Sequence, residues 1–324
     1  MEKTKNVLIT SAGTRVSLLN FFKEEALSID VKIYASDLEP ALSPACQIAF
    51  KYFKSPKVGT DEYINFLVRT CLDNSIGLIV PTIDLELEQL SLHRDLFLEK
   101  GIKVIVSDSE FVKICNDKRL SNIFFNDLGI RTPKIFGIGE LDFPVYAKPY
   151  NGSLSKNNHL IKSKEDLTEN IISDKDLIFM EYVSPEIYSE YTVDAFYNLK
   201  GHLISLVPRK RLKVRAGEIN KGVTKKNFVM DFLLEKFKFL KGACGCITLQ
   251  FFVNEPKERI LGIEINPRFG GGYPLSHLSG ANYIKYIFDE YILNKDIFYS
   301  ENWKQNVLML RYDAEIIVEL DEEF

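Results

Sequence analysis

The chain has 324 residues, a length that suits two or three packed subdomains better than one small core. Apolar residues make up 46% and charged residues 27%, which is an ordinary composition for a globular protein. The net charge of −4, from 41 basic and 45 acidic side chains, excludes a global positive field, so we expect no nucleic-acid partner.

Neither a membrane segment nor a disulfide framework is indicated. The first apolar run, near Val7, is only four or five residues long, which is too short for a signal peptide, and no segment reaches the ~18–20 apolar residues of a membrane helix. The five cysteines are an odd number, and the pair Cys244 and Cys246 is interpreted as buried thiols rather than zinc ligands. We therefore expect a cytoplasmic protein with no membrane partner.

The first third of the chain alternates between strand and helix patterns. Short apolar runs predict strands, and amphipathic stretches predict the helices between them. The strands are expected at 7–10, 31–34, 78–80 and 104–106, and the helices at 15–25, 61–73 and 85–100. This alternation predicts a parallel sheet with helices on both faces, which is an α/β arrangement.

After about residue 108 the pattern changes to α+β. A long helix over 109–128 precedes a series of short strands, and a hairpin turn is expected at Asn198–Gly201. The strands are expected at 145–148, 177–180, 191–196, 203–207, 246–253 and 260–265, with a helix at 228–240. The stretch from Arg209 to Lys226 is interpreted as a charged loop.

The strongest chemical signal lies on the last two predicted strands. Glu264 and Asn266 are two residues apart, so they project from the same strand face, and a hairpin can bring Gln250 beside them. Such a set of oxygen donors suits a hard cation that shares phosphate oxygens. Arg268 would then contact a phosphoryl group during its transfer. The alternative is a polar strand face turned to water.

Two lysines and one strand end are weaker signals. Lys148 closes an apolar strand, where it lies on a sheet edge or points at an anion, whereas Lys118 lies on a helix, where most lysines are solvated. The strand that ends at Glu181, Tyr182 and Val183 can offer backbone groups to an adenine edge, or it is simply a strand terminus. Glu190 could accept hydrogen bonds from ribose hydroxyls.

Taken together and in this order, these residues resemble the ATP-grasp superfamily, in particular the synthetase subdomain of the carbamoyl phosphate synthetase large subunit and similar stand-alone ligases. The resemblance covers nearly the whole chain. It implies a preATP-grasp domain with a Rossmann-like parallel sheet over 1–110, followed by two α+β subdomains, 111–183 and 184–324, which clasp ATP between them.

The resemblance also implies roles for single residues. Lys118, Lys148, Ser153, Glu181, Tyr182, Val183 and Glu190 would bind ATP, and Gln250, Glu264 and Asn266 would bind Mg²⁺ or Mn²⁺. Arg268 is the arginine of the Asn-Pro-Arg motif. The implied reaction is phosphorylation of a carboxylate to an acylphosphate, followed by displacement of phosphate by an amine, with release of ADP and phosphate.

Two segments raise separate questions. The phosphate loop at 151–155 has fewer glycines than its relatives, so Ser153 is assigned less firmly than the other residues, and how that loop closes is not predicted. The basic segment 208–224 is expected on the substrate side, and Arg215 is expected to act there in catalysis, because a guanidinium binds a carboxylate in bidentate fashion.

Other functions remain open at this point. They are bicarbonate or carbamate phosphorylation, a non-catalytic nucleotide-binding relative, and a nicotinamide-dependent oxidoreductase, which is disfavoured because no G-x-G-x-x-G follows the first strand. The expected partners are small carboxylates and amines. The sequence identifies neither of them, and it leaves a homodimer open.

Overall fold

The computed structural model describes residues 5–151, 157–215 and 217–319. The strands are β1 (Asn6–Ile9), β2 (Ile33–Asp37), β3 (Tyr52–Lys54), β4 (Ile76–Val80), β5 (Lys103–Val104), β6 (Ile135–Phe136), β7 (Val145–Pro149), β8 (His159–Ile161), β9 (Leu177–Glu181), β10 (Ser189–Tyr197), β11 (Leu203–Arg215), β12 (Glu218–Thr224), β13 (Gly245–Asn254), β14 (Arg259–Asn266) and β15 (Leu308–Leu310). The α-helices are α1 (Val16–Ala26), α2 (Pro44–Gln47), α3 (Asp61–Asp73), α4 (Asp84–Leu92), α5 (Arg94–Glu99), α6 (Ser109–Asn116), α7 (Lys118–Asp127), α8 (Glu169–Ser173), α9 (Phe228–Lys236), α10 (Tyr273–Leu278) and α11 (Tyr283–Ile287).

The first sheet is parallel throughout, with the strand order β3-β2-β1-β4-β5. Its central strands are buried except at Asn6 and Asp37, in keeping with apolar runs that do not alternate with polar residues. The order reverses between β1 and β4. In open sheets of this kind, ligands bind outside the carboxyl ends of the strands at such a reversal.

Two antiparallel sheets follow. The smaller has the order β6-β9-β7-β8, and the larger has the order β14-β13-β10-β11-β12-β15. The expected hairpin turn connects β10 to β11: Asn198 donates its backbone N–H to His202 O, and Gly201 has a φ of +79°, a conformation that glycine adopts without strain. The α/β and α+β classes expected from the sequence are both confirmed.

One hydrophobic core joins the parallel sheet to the large antiparallel sheet. Helix α1 contributes Phe22, whose ring meets Phe269 and Phe288 edge to face, and Phe21, which stacks on His277 at 3.8 Å. This packing fixes the loop between β1 and α1 relative to the large sheet.

Several expected elements have different bounds. The helix predicted over 85–100 is divided into α4 and α5 at His93, and the helix predicted over 109–128 is divided into α6 and α7 at Asp117. Asp117 has extended backbone and accepts a hydrogen bond from the N–H of Arg119, so its side chain caps a new helix. Strand β3 was missed because it is short and largely exposed.

The expectation of a loop over Arg209–Lys226 is wrong. Most of this segment forms the hairpin of β11 and β12, and Arg209 pairs in register with Thr224. The physical reason is that its basic side chains find carboxylates on the neighbouring strand: Arg209 binds Asp194, and Arg211 binds Glu190, both on β10. Charge alone therefore did not indicate solvent exposure.

The described ranges contain no helix that combines the length and the apolar character needed to cross a membrane. All five cysteines are buried and free of disulfides. In the same ranges, no cluster of three or more histidine, cysteine, aspartate or glutamate side chains could hold a metal ion.

Candidate active site

A cavity of about 650 Å³ is lined by residues from all three sheets. We call one part of its lining the lysine end, which comprises Lys118, Lys148, Glu181–Val183 and Glu190. We call another part the arginine end, which comprises Arg15, Arg209, Arg268 and Gly270–Gly272. Of the twelve site residues expected from the sequence, ten line this cavity.

The three expected metal ligands lie together on β13 and β14. Gln250 pairs in register with Glu264, and Thr248 pairs with Asn266, so the hairpin brings the donors side by side as the sequence predicted. Glu264 is the electrostatic neighbour of Lys118 and Lys148, and also of Arg268. Its carboxylate therefore lies between the lysine end and the arginine end.

A β-bulge adjusts this strand pair. The register shifts after Gln250, so Phe251 pairs with Gly262, and both Ile263 and Glu264 line the cavity. Gly262 packs directly on Phe125, where an added Cβ would lie 2.6 Å from the ring, so a larger residue would not fit. Simple alternation would have turned Ile263 away from Glu264, and the bulge supplies an apolar wall beside a polar ligand.

The two expected lysines point into the same cavity from different elements. Lys118 begins α7, and its backbone N–H donates to Tyr150 O at 2.8 Å, which ties the helix start to the end of β7. Burial lowers the pKa of Lys118, against the opposing charge of Glu264 and Asp84. Burial lowers the pKa of Lys148 to about 8; Glu264 opposes this shift, whereas the positive charge of Lys118 adds to it.

The strand end expected to meet an adenine edge borders an apolar part of the cavity. Strand β9 ends at Glu181, and Tyr182 and Val183 follow outside the strand. The Glu181 side chain is exposed and accepts a hydrogen bond from the backbone N–H of Lys134 at 3.3 Å, so its side chain has a structural partner. Apolar side chains complete this wall: Met180, Val183, Phe252 and Ile263.

Glu190 forms an ion pair on the cavity wall. Arg211 donates from Nη1 to Glu190 Oε1 at 2.9 Å and from Nη2 to the carbonyl of Gly217. Burial raises the pKa of Glu190, although the charge of Arg211 opposes the shift. The pair fixes one carboxylate oxygen of Glu190, whose side chain is 32% exposed and lines the cavity.

Arg268 is held by Asp84, the first residue of α4. Its Nη2 donates to Asp84 Oδ2 at 2.7 Å, and its Nη1 donates to the carbonyl of Phe269. Burial is the largest influence on Arg268 and opposes its charged form, but the charge and hydrogen bond of Asp84 together with the charges of Glu264 and Glu218 outweigh it, so the pKa is raised. A fixed and permanently charged guanidinium therefore lies at the arginine end.

Two expected residues are not placed in the cavity. Arg215 lies at the exposed end of β11, where it forms an ion pair with Asp313, and it is not among the lining residues. The hairpin carries its side chain outward, so the structure does not support contact with a substrate there. Ser153 lies outside the described residues.

The sequence reasoning missed Asp84 and Arg15 as site residues. Arg15 follows β1, and Asp84 follows β4, so both lie beyond the carboxyl ends of the two strands where the order of the parallel sheet reverses. The predicted βαβ order could have indicated this location as a ligand site. Neither residue, however, belongs to a local sequence motif.

The donor set fits magnesium bound together with phosphate. Glu264 supplies a carboxylate, and Gln250 and Asn266 supply amide oxygens, all from adjacent strand positions. Magnesium takes one or two carboxylates and completes its shell with water and substrate phosphates, so a single carboxylate beside two lysines is a suitable arrangement.

Comparisons with known proteins agree with this architecture. Residues 7–105 match the family model described as "PylC-like, N-terminal domain", and residues 173–311 match the model described as "ATP-grasp in the biosynthetic pathway with Ter operon". A comparison with curated protein sequences gives no match.

Solved structures with low sequence identity share the fold. The biotin carboxylase domain of Hydrogenobacter thermophilus 2-oxoglutarate carboxylase, solved as a dimer with MgADP, ADP and bicarbonate, aligns with a TM-score of 0.72 and 15% identity over 94% of this chain and 73% of that one. N5-carboxyaminoimidazole synthetase from Staphylococcus aureus, complexed with ADP, aligns with a TM-score of 0.69 and 14% identity over 96% of this chain and 81% of that one. N5-carboxyaminoimidazole ribonucleotide synthetase from Thermotoga maritima aligns with a TM-score of 0.63 and 20% identity over 92% of this chain and 78% of that one. With its parallel N-terminal sheet and two antiparallel sheets around one cavity, the chain has the ATP-grasp fold, and its residues 173–311 match an ATP-grasp family model.

Proposed function

We propose that this protein is an ATP- and magnesium-dependent ligase that joins a carboxylate to an amine through an acylphosphate, releasing ADP and phosphate. The observation that carries the proposal is the pairing of Gln250 with Glu264, beside Asn266, in a cavity that also holds Lys118 and Lys148. This combination of oxygen donors and buried cations suits a metal-bound triphosphate.

The lysine end would bind the nucleotide. The apolar wall of Met180, Phe252 and Ile263 suits an adenine ring, and the strand end at Glu181–Val183 supplies backbone groups along its edge. Glu190, already oriented by Arg211, would accept hydrogen bonds from ribose hydroxyls through its second oxygen.

The phosphates would extend from there toward Lys118 and Lys148. Both side chains are desolvated, so their attraction for phosphate oxygens is stronger than it would be in water. Gln250, Glu264 and Asn266 would hold magnesium. The ion would supply neutralisation of the charge that develops on the phosphate oxygens.

Arg268 would act at the transferring phosphoryl group. Its hydrogen bond to Asp84 fixes the guanidinium before any ligand arrives, so no reorganisation is needed during the reaction. The residues of the cavity would thus position and neutralise the reactants, and the incoming amine itself would displace the phosphate.

A phosphate-release screen tests this proposal. The purified protein is mixed with ATP, magnesium and pairs of carboxylic acids and amines, and phosphate is measured against reactions that lack one component. We expect release only when ATP, magnesium, acid and amine are all present. Binding of ATP without release from any mixture would instead favour a non-catalytic nucleotide-binding protein.

The same screen tests the second candidate from the sequence, phosphorylation of bicarbonate or carbamate. Bicarbonate is included as one of the acids, with and without an amine. Phosphate release that depends on bicarbonate alone would favour that reaction over ligation of a carbon acid.

A further inference from the structure

The arginine end contains more positive charge than its own carboxylates neutralise. Arg209 binds Asp194 at 2.8 Å, Arg268 binds Asp84 at 2.7 Å, and Arg311, which lies against Gly271, binds Glu218 at 3.0 Å. Arg15 is different. Among the described residues its nearest carboxylate oxygen is on Glu218, at 3.7 Å, and that carboxylate is already hydrogen-bonded to Arg311.

Arg15 is also poorly solvated. Its side chain is 20% exposed and lines the cavity. Burial lowers the pKa of Arg15, with Glu218 opposing the shift and Arg268 adding to it. A cation that is partly desolvated, near a second cation and without a close partner is stabilised when an anion binds to it.

Arg209 shows the same need for acceptors. It is 1% exposed, and its Nε and Nη1 have no hydrogen-bond partner among the described residues, although Nη2 binds Asp194. Leaving such buried donors unfilled is costly, so Arg209 adds incompletely bonded positive charge to this wall.

The glycine segment leaves this wall uncovered. A Cβ on Gly271 would collide with Glu218, and a Cβ on Gly272 would collide with Arg209 Nη1. Gly271 and Gly272 therefore place only backbone against these two charged side chains. The location agrees with the fold, since Arg15 lies at the point where the order of the parallel sheet reverses.

We propose that the arginine end binds, through Arg15, a second oxyanion of the acid substrate, so that the acid carries a carboxylate or phosphate group in addition to the carboxyl that is activated. Arg15 acts in binding and specificity, whereas Arg268 faces the reacting group. This inference rests on the proposed function, because it assumes that the cavity receives an acid beside a nucleotide.

Binding measurements test the inference without turnover. The protein is saturated with magnesium and a non-hydrolysable ATP analogue and is then titrated calorimetrically with succinate, glutarate, 3-phosphoglycerate and butyrate. We expect at least one of the first three to bind at least tenfold more tightly than butyrate. Preference for the dicarboxylates would identify the second group as a carboxylate, and preference for 3-phosphoglycerate would identify it as a phosphate.

Variants of Arg15 then test whether this residue is responsible for the preference among acids. Arg15→Gln should weaken the preferred acid about 10- to 100-fold, as expected for the loss of hydrogen bonds to a charged group, and leave binding of the ATP analogue unchanged. Arg15→Lys, which retains the charge and disturbs packing least, should lie between wild type and Arg15→Gln. Arg69→Gln, an exposed change of the same charge on α3, is the matched control and should behave as wild type.

The inference is overturned if butyrate binds as tightly as all three acids with a second oxyanion, or if neither Arg15 variant weakens the preferred acid. Failure of the ATP analogue to bind wild type would instead contradict the proposed function, so the two failures are distinguishable.

Discussion

The lysine end and the arginine end of the cavity arrange charge in different ways. At the arginine end, Arg209 and Arg268 each have a carboxylate within 2.8 Å, so their side chains are fixed before a ligand binds. At the lysine end, Lys118 and Lys148 share the electrostatic influence of Glu264, which is also an expected metal ligand. Two cations of the arginine end are therefore fixed in advance by their own carboxylates, whereas the two lysines share the influence of one carboxylate that the metal would also use.

Among these predictions, removal of Glu264 should have the largest effect on activity. Glu264→Ala deletes the carboxylate of the proposed metal site and removes a negative charge that acts on both Lys118 and Lys148. We expect ATP-dependent phosphate release to fall by about 10²-fold or more, with the far-ultraviolet circular dichroism unchanged. Glu24→Ala, an exposed change on α1, is the control, and substantial turnover in Glu264→Ala would contradict the metal assignment.

The next largest effect should come from Asp84. Asp84→Asn keeps the size of the side chain but weakens its hydrogen bond to Arg268, so the guanidinium loses its fixed position. We expect kcat to fall about 10- to 100-fold while the Kd for ATP changes little, because misplacement of a reacting group affects the transition state more than nucleotide binding. Steady-state kinetics and calorimetry separate the two quantities. A change confined to ATP affinity would place Asp84 and Arg268 on the nucleotide side instead.

A smaller effect is expected at Glu190. Glu190→Ala removes the proposed acceptor for the ribose and releases Arg211, so the Kd for ATP should rise about tenfold. Binding of a nucleotide with deoxyribose in place of ribose gives the critical comparison. The variant should lose its preference for ribose, and an undiminished preference would exclude Glu190 from that role.

The pH dependence of ATP binding tests the lysine end. The pKa of Lys148 is about 8 without ligand, and a triphosphate would raise it, so binding favours the protonated form. Affinity for ATP should therefore be highest below pH 8 and fall by up to about tenfold per unit above it. Lys148→Arg should flatten this dependence because arginine stays charged. An identical pH profile in the variant would assign the titration to another group.

The smallest effect is expected at Arg215. The sequence places this residue on the substrate side, but the structure places it in an exposed ion pair with Asp313. Arg215→Ala should therefore leave KM for the acid and for ATP unchanged within experimental error. A selective rise in KM for the acid would restore the assignment made from the sequence and would indicate that the hairpin end moves over the cavity.

The sequence alone was sufficient to predict which residues come together when they are close in the chain. Gln250, Glu264 and Asn266 could be brought together from strand alternation and one hairpin, and Asn198–Gly201 could be identified as the turn from its composition. Four of the five strands of the parallel sheet were also predictable, because they are short apolar runs, whereas the largely exposed β3 was not.

The remainder depends on contacts between distant elements. Asp84 and Arg268 are 184 residues apart, and their ion pair exists because α1 packs the parallel sheet against the large antiparallel sheet. The strand nature of the basic segment depends on Asp194 and Glu190, which lie on another strand. Beside the bulge at Glu264, Gly262 packs against Phe125, which lies on a distant helix. No single segment of sequence contains such information.

The central claim, that this cavity binds ATP with magnesium, is tested most directly by calorimetric titration of the wild-type protein with a non-hydrolysable ATP analogue, with magnesium and with EDTA. The structure predicts one site, tighter binding with magnesium than with EDTA, and loss of that difference in Glu264→Ala. No binding, or binding of equal strength with magnesium and with EDTA, would contradict the account.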